Sequence, residues 1–272
     1  MSRPEPAPTE RFSDRVSAYA KFRPGYPPET LLALRDFFHL APSAVVADLG
    51  AGTGIFSAAL LDAGFEVIAV EPNAAMRDEA ARSLAGRPRF TLAAGTAEST
   101  GLPDAAADLV TAAQAFHWFD PARARAEIVR ITRAPHRVAL VWNTRLLDAT
   151  PFLRDYDELL LRLSDDYAKV RHQNVVSIGT AVLPAFFGPG GFERRAFPSQ
   201  QVFDEEAFLG RALSSSYVPG ESHPRHAETV RELSALFARH QQDGAVAFLY
   251  ETELYLGCLD PQVSPPGPAS NA

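Results

Sequence analysis

The sequence reads as an α/β chain with a mostly parallel sheet covered by helices on both faces. Three observations lead there. A short apolar run from Ala44 ends at Asp48, and three glycines follow at Gly50, Gly52 and Gly54. An amphipathic segment (Ile55, Ala58, Ala59, Leu60) then leads to a second apolar run, Phe65 to Val70, that closes on Glu71. This is strand, glycine turn, helix, strand. Beyond it, strand-length apolar runs and helix-length amphipathic runs alternate to about residue 145, the order that generates parallel strands joined by crossover helices. The third observation is bulk: 272 residues, 46% of them hydrophobic, can bury a large core.

Taken in order, residues 1–10 are Pro-rich and polar and are expected to be a disordered leader. Residues 11–260 read as one domain. Phe12, Val16, Tyr19 and Ala20 stand at helical spacing, prolines break the run between Pro24 and Pro28, and a helix is expected over 29–39. Residues 11–40 are thus read as a helical lid. The core of 41–150 continues with a helix over 74–84 capped by Asn73 and a strand over 89–93. A strand over 107–112, a helix over 121–132 and a strand over 137–142 complete it. An insertion over 151–187, opening with a helix over 152–167, is large enough to cover a substrate. The last part, 188–260, carries a strand over 194–203, helices over 205–213 and 226–241, and a strand over 245–256. Residues 261–272 are expected to be a disordered tail, and no internal repeat is present.

Composition narrows the function classes. A formal net charge of −7 offers no basic footprint for nucleic acid and no polybasic run for anionic lipid. The single cysteine, Cys258, excludes an internal disulfide framework and a cysteine-rich metal site, and sits in an apolar run expected to bury it. No segment reaches the length of a membrane span, and the N-terminus lacks a signal-peptide core. A soluble, cytoplasmic protein without metal, membrane or nucleic-acid partners is expected; the oligomeric state is not legible.

The chemistry concentrates at strand ends. Glycines let backbone N–H groups and a helix N-terminus approach a ligand closely. Glu71, about 20 residues past the turn and at a strand end, is placed to accept both hydroxyls of a ribose. A pyrophosphate cradle needs Gly-x-Gly-x-x-Gly; the spacing here is Gly-x-Gly-x-Gly, and the Asp48 carboxylate would repel a pyrophosphate. An acid there suits a ligand bearing an amino group and a sulfonium. A second cluster, Gln114-Ala-Phe-His-Trp-Phe-Asp120, crowds aromatics and a histidine at a strand end. Aromatic faces can hold a sulfonium by cation–π attraction. His117 reads as a general base, a ligand contact or a structural histidine. Tyr19, Arg23 and Tyr26 read either as surface packing or as a cover over the site, since one arginine can clamp a carboxylate.

Asp-Leu-Gly-Ala-Gly-Thr-Gly with its ribose acid resembles motif I of the class I S-adenosylmethionine-dependent methyltransferases. With Tyr-x-x-x-Arg-Pro-x-Tyr-Pro (Tyr19 to Pro27) and Gln-Ala-Phe-His-Trp-Phe, the chain is similar to the small-molecule, type 11-like group related to ubiquinone-biosynthesis and trans-aconitate methyltransferases. The resemblance covers residues 12–145 firmly and the remainder loosely. It implies a Rossmann-like, doubly wound sheet of seven strands with antiparallel sixth and seventh strands. It implies methyl transfer to an O, N, S or C nucleophile of a small molecule, with S-adenosylhomocysteine as product and secondary metabolism as the setting. Carried over by position, Asp48, Gly50, Ala51, Gly52 and Gly54 cradle the methionine part, and Glu71 and Pro72 hold the ribose side. Met76, Thr96, Ala97 and Glu98 surround the adenine, although the family usually has Asp in place of Thr96. Gln114 and Ala115 line the sulfonium side, with Tyr19 and Arg23 above. Substrate contacts fall to Tyr26, Phe116, Trp118, Asn143, Arg145 and Tyr217, with His117 as the catalytic candidate. The competing readings are a fold that uses the sulfonium charge for cyclisation or decarboxylation, and a non-catalytic nucleotide-binding module. A nicotinamide oxidoreductase ranks last on the glycine spacing.

Overall fold

The computed structural model describes residues 23–164, 167–170, 182–215 and 217–260. The expected leader, the helix around Tyr19, the tail and the centre of the 151–187 insertion lie outside the described residues. Strands run over Val45–Leu49 (β1), Glu66–Val70 (β2), Phe90–Ala93 (β3), Ala107–Ala113 (β4), Thr132–Arg145 (β5), Glu193–Phe203 (β6) and Val246–Cys258 (β7). They form one seven-stranded sheet in the order β3-β2-β1-β4-β5-β7-β6. β1 to β5 pair in parallel, and β7 runs antiparallel to both β5 and β6. The sixth and seventh strands pair antiparallel, as expected, and β7 is the strand that runs against the others.

Helices span Pro28–Phe38 (α1), Ile55–Asp62 (α2), Ala74–Ser83 (α3), Pro121–Ile131 (α4), Pro151–Leu163 (α5), Tyr167–Val170 (α6), Leu183–Phe187 (α7), Glu205–Leu213 (α8) and His226–His240 (α9). Their starts follow local chemistry. Asn73, Asp120, Thr150 and Asp204 accept backbone N–H bonds at the N-caps of α3, α4, α5 and α8. Proline stands in the first turn of α1, α4, α5 and α7, where its missing N–H costs nothing.

The central strands alternate between two buried faces and so feed two cores. Val46, Val67, Leu109, Ala139, Val141, Leu254 and Leu256 pack with α1 and α2 on one face. Ala47, Leu49, Val110, Leu140 and Trp142 pack with α4 and α7 on the other. α1 is thus a core helix, with Leu31, Leu34 and Phe38 buried, and is not part of a lid. The expected 151–187 insertion divides in the same way. α5 joins α8, α9 and the start of β7 in a third cluster around Phe152, Tyr156, Phe208 and Phe248. α7 sends Leu183, Phe186 and Phe187 to the core beneath β4 and β5. Cys258, expected to be buried, is only half-buried at the end of β7.

Phe116 anchors the loop after β4 in that core. It is 1% exposed, and its ring meets Phe186 (4.7 Å), Phe119 (5.9 Å) and Trp142 (6.2 Å) edge-on. Truncating it to alanine removes a buried aromatic and opens a cavity. Phe116→Ala should lower the unfolding free energy by about 3–5 kcal/mol, read from a urea titration; a loss below about 1 kcal/mol would place this ring outside the core.

Candidate active site

The carboxyl ends of β1, β2, β3, β4 and β5 open toward one edge of the sheet, where ligands of doubly wound sheets bind. The glycine loop leaves β1 there and is tied to the end of β2, with Gly50 N donating to the Val70 carbonyl at 2.9 Å and Ala51 N to the same oxygen at 3.2 Å. Its three glycines serve different ends. A Cβ on Gly50 would stand 2.6 Å from the Ala115 Cβ, and one on Gly54 would stand 2.9 Å from Leu84 Cδ1, so both permit close packing. Gly52, at φ +58°, has nothing within 4 Å of a Cβ position. Its positive φ favours glycine, and among the described residues nothing packs against its open side. That open side leaves room for another group to come close to the backbone. Beside it Thr53 is buried, and its hydroxyl has no hydrogen-bond partner.

The two acids of the loop take opposite positions. Asp48, 1% exposed, lies on the α2 side of the sheet and accepts from the Ser57 hydroxyl (2.6 Å) and the Thr111 hydroxyl (2.9 Å). Burial pushes its pKa up from 3.8 to about 6, against the pull of those two donors. Both carboxylate oxygens accept from the protein, and the two bonds join β1 to α2 and β4 behind the loop. Glu71 stands at the cleft floor instead. It accepts from Gly52 N (2.8 Å) and Asn73 N (2.8 Å), and burial raises its pKa while those N–H groups oppose the rise. Arg77 donates to the carbonyls of Glu71 (2.9 Å) and Pro72 (3.1 Å), fixing the turn that presents the acid.

The remaining predicted residues fall into three groups. Met76 (4% exposed) and Ala97 (4%) are buried. Thr96 is exposed and bridges Ser99. Glu98 accepts from Asp120 N at 2.8 Å and so ties the turn after β3 to the cap of α4. Ala115 (5% exposed) is the small residue that lets Gly50 approach, and Phe116 points into the core. Gln114, at φ +56°, donates through Nε2 to the Asn143 carbonyl at 3.0 Å. His117 follows it. Burial lowers its pKa from 6.5 to about 4, and its Nδ1 is buried without a partner. Trp118 is 42% exposed at the rim, its ring 4.9 Å from that of His117.

Asn143 is a structural junction more than an open contact. Its Nδ2 donates to the Gly25 carbonyl (3.0 Å) and its Oδ1 accepts from Thr252 (2.6 Å), which pins the segment before α1 across the sheet end. Tyr26 packs edge-on against Phe56 at 4.6 Å. Arg145 and Tyr217 are drawn into a separate buried group past the end of β5, and Arg23 acts electrostatically on Tyr217. Tyr19 lies outside the described residues. Sequence reasoning missed Ser57, Thr111, Thr53 and Arg77. Thr111 had a usable signal, since a polar residue inside the apolar run Leu-Val-Thr-Ala-Ala needs a buried partner. Among the described residues no group of His, Cys, Asp and Glu is arranged to hold a metal, and no helix is long and apolar enough to cross a membrane.

The Asp48 environment makes a pH prediction with a definite sign. The folded chain holds the Asp48 proton up to about 6, whereas an unfolded chain loses it near 3.8, so this group's contribution to stability is complete below 3.8 and is lost as pH rises through about 6. Asp48→Asn has no proton to lose. Between pH 4 and pH 7 the stability difference should move in favour of the variant by about 1–3 kcal/mol, measured by urea unfolding of both proteins at both pH values. A difference that does not change with pH would contradict this placement.

Residues 47–137 match the family described as a methyltransferase domain. A Mycobacterium tuberculosis protein named an uncharacterized methyltransferase is 40% identical over 154 residues, 57% of this chain and 60% of that protein. The alignment thus spans less than two thirds of that relative. A methyltransferase-like protein of Schizosaccharomyces pombe is 29% identical across 92% of this chain and 96% of its own length. Among solved structures, a candidate type II methyltransferase from Anaeromyxobacter dehalogenans superposes with a TM-score of 0.60 at 26% identity, covering 87% of this chain and 98% of that one. The glycine loop and the acid at the tip of β2 lie within the matched stretch 47–137, and over that stretch the chain is similar to the type 11 group of class I S-adenosylmethionine-dependent methyltransferases.

Proposed function

We propose that the chain transfers a methyl group from S-adenosylmethionine to an O, N, S or C nucleophile of a small molecule. The observation that carries this reading is the open face of Gly52, flanked by the Glu71 carboxylate and the unpartnered Thr53 hydroxyl. These groups fit an amino acid joined to a ribose. Backbone N–H groups at Gly52 and the start of α2 meet the carboxylate end, and Glu71 exchanges its bond to Gly52 N for ribose hydroxyls. Met76 and Ala97 offer apolar walls for a flat base. Asp48 acts through the loop, by way of Ser57 and Thr111.

Bound S-adenosylmethionine supplies a methyl group on a positively charged sulfur, an in-line displacement that needs little covalent help. The protein's task is therefore to hold the acceptor in line and exclude water, an effect that can reach about 10⁵ M in effective molarity. Trp118 and His117 stand at the acceptor side, with Arg23, Tyr26, Asn143, Arg145 and Tyr217 beyond. A His117 pKa of about 4 keeps the imidazole neutral through the physiological range. It suits a hydrogen-bond contact, or a base toward a nucleophile that is itself acidic, better than deprotonation of an aliphatic hydroxyl.

Calorimetric titration of S-adenosylmethionine tests the site. Wild-type protein should bind, and Glu71→Ala should bind at least about 10-fold more weakly, the equivalent of 1.4 kcal/mol. Gly52→Ala isolates the cradle, since its Cβ meets no protein atom. It should cost about 1–2 kcal/mol of folding stability from its backbone conformation, yet weaken binding by a further factor of about 10. Failure of the wild-type protein to bind would overturn the proposal.

A further inference from the structure

Past the end of β5 lies a group of polar side chains that the cofactor cleft does not use. Arg145 and Arg211 are each 1% exposed. Arg145 sits directly opposite Tyr250 in the β5–β7 pairing, with its guanidinium 5.0 Å above the Tyr156 ring. Arg211, on α8, has its guanidinium 6.0 Å from the Phe248 ring, which itself stands 5.1 Å from Tyr156. Both arginines act on the same three phenols, Tyr156, Tyr217 and Tyr250. Arg145 and Arg211 therefore belong to one buried cluster of phenols and cations, with Arg23 also acting on Tyr217.

Their donors are not used up. Arg145 donates through Nη2 to the Tyr167 hydroxyl, and Arg211 through Nη1 to Ser215 Oγ at 3.3 Å. Nε and Nη1 of Arg145 and Nε and Nη2 of Arg211 are buried without an acceptor, and so are the hydroxyls of Tyr156 and Tyr250. Tyr250 lies beside Arg211 without reaching hydrogen-bond geometry. The acid that reaches Arg145 is Asp157, 3.7 Å away, and its Oδ1 already accepts from Tyr167 at 2.6 Å. Among the described residues Arg211 has no carboxylate in ion-pair distance. Among the described residues two buried guanidiniums face one acid, and a buried positive charge without a partner costs stability. Planar forks with free N–H donors match the oxygens of a carboxylate or a phosphate.

We propose that Arg145 and Arg211, with the hydroxyls of Tyr156 and Tyr250, form a binding site for a carboxylate or phosphate group, and that the methyl acceptor is the molecule that carries it. The second clause rests on the methyl-transfer reading; the first does not. Position supports the link. Arg145 is two residues past Asn143, whose carbonyl receives Gln114 from the cofactor side. An acceptor anchored at the arginines therefore extends along the end of β5 toward His117 and the cleft.

Thermal melting of the full chain tests the site, with sodium malonate and inorganic phosphate as separate probes against sodium chloride at equal ionic strength. At least one probe should raise the wild-type midpoint in a saturable way. A malonate response identifies a carboxylate site and a phosphate response a phosphate site. Arg211→Met and Arg145→Met should need at least 10-fold more of that anion for half the shift, and Arg211→Met should melt without anion no lower than the wild type, because among the described residues Arg211 has no carboxylate in ion-pair distance whereas Arg145 has Asp157. Arg211→Lys keeps charge without the fork, should bind several-fold more weakly, and decides the matter if a methionine variant does not fold. The site is overturned if neither anion exceeds chloride, or if the half-saturating concentration is unchanged in the variants. Calorimetry with S-adenosylmethionine on the same samples separates the two readings. Cofactor binding without an anion response rejects this site alone; an anion response without cofactor binding keeps the site and rejects its assignment to a methyl acceptor.

Discussion

The cleft depends on one buried carboxylate. Asp48 on β1 receives hydroxyl bonds from Ser57 on α2 and Thr111 on β4, so a single side chain joins the three elements that frame the glycine loop. Such an arrangement is expensive, because burial works against the charge and raises the pKa to about 6. The two hydroxyls reduce that penalty, and they also set where α2 begins relative to the sheet. Without a fixed start for α2, the N–H groups of its first turn would not be aimed at the strand ends. The loop's ligand-facing geometry is thus determined from behind.

Two carboxylates so close in the fold might be expected to share one task. Their surroundings separate them. Asp48 is met by hydroxyls from the core and contributes rigidity. Glu71 is met by backbone N–H groups of Gly52 and Asn73, donors that lie on the cleft side and that a ligand can replace. The Glu71 charge raises the Asp48 pKa, the smallest of the influences on that acid. Burial and partner type, not residue type, decide which acid is available for chemistry.

The parallel core was legible because its signals are local. Apolar runs, glycine spacing and capping residues each act over a few positions, and the strands and helices from residue 28 to 145 lie within a few residues of expectation. What was not legible depended on contacts across distance. Phe116 looked like a substrate contact because it neighbours His117, yet a 3-10 turn at Phe116–Trp118 sends it inward to Phe186 and Trp142. The 151–187 stretch looked like one cover, yet α5 and α7 serve different cores. Arg211 carried no signal at all. Within the helix Glu205–Leu213 it reads as an ordinary solvated arginine, and only the packing of α8 against the start of β7 reveals it as buried.

Asn143 connects these two kinds of information. Its position at a strand end marked it as a site residue, and its contacts explain what it does there. It fastens Gly25, and with it the segment that carries Arg23 and Tyr26, to β5 and β7 through Thr252. The same residue's carbonyl holds Gln114 on the cofactor side, and two residues later the strand delivers Arg145 to the buried cations. A shift of the end of β5 would therefore be felt at the cofactor cleft, the N-terminal segment and the arginine chamber together. The proposed acceptor site and the proposed cofactor cleft are joined through the end of one strand, so their relative position is set by backbone more than by mobile side chains.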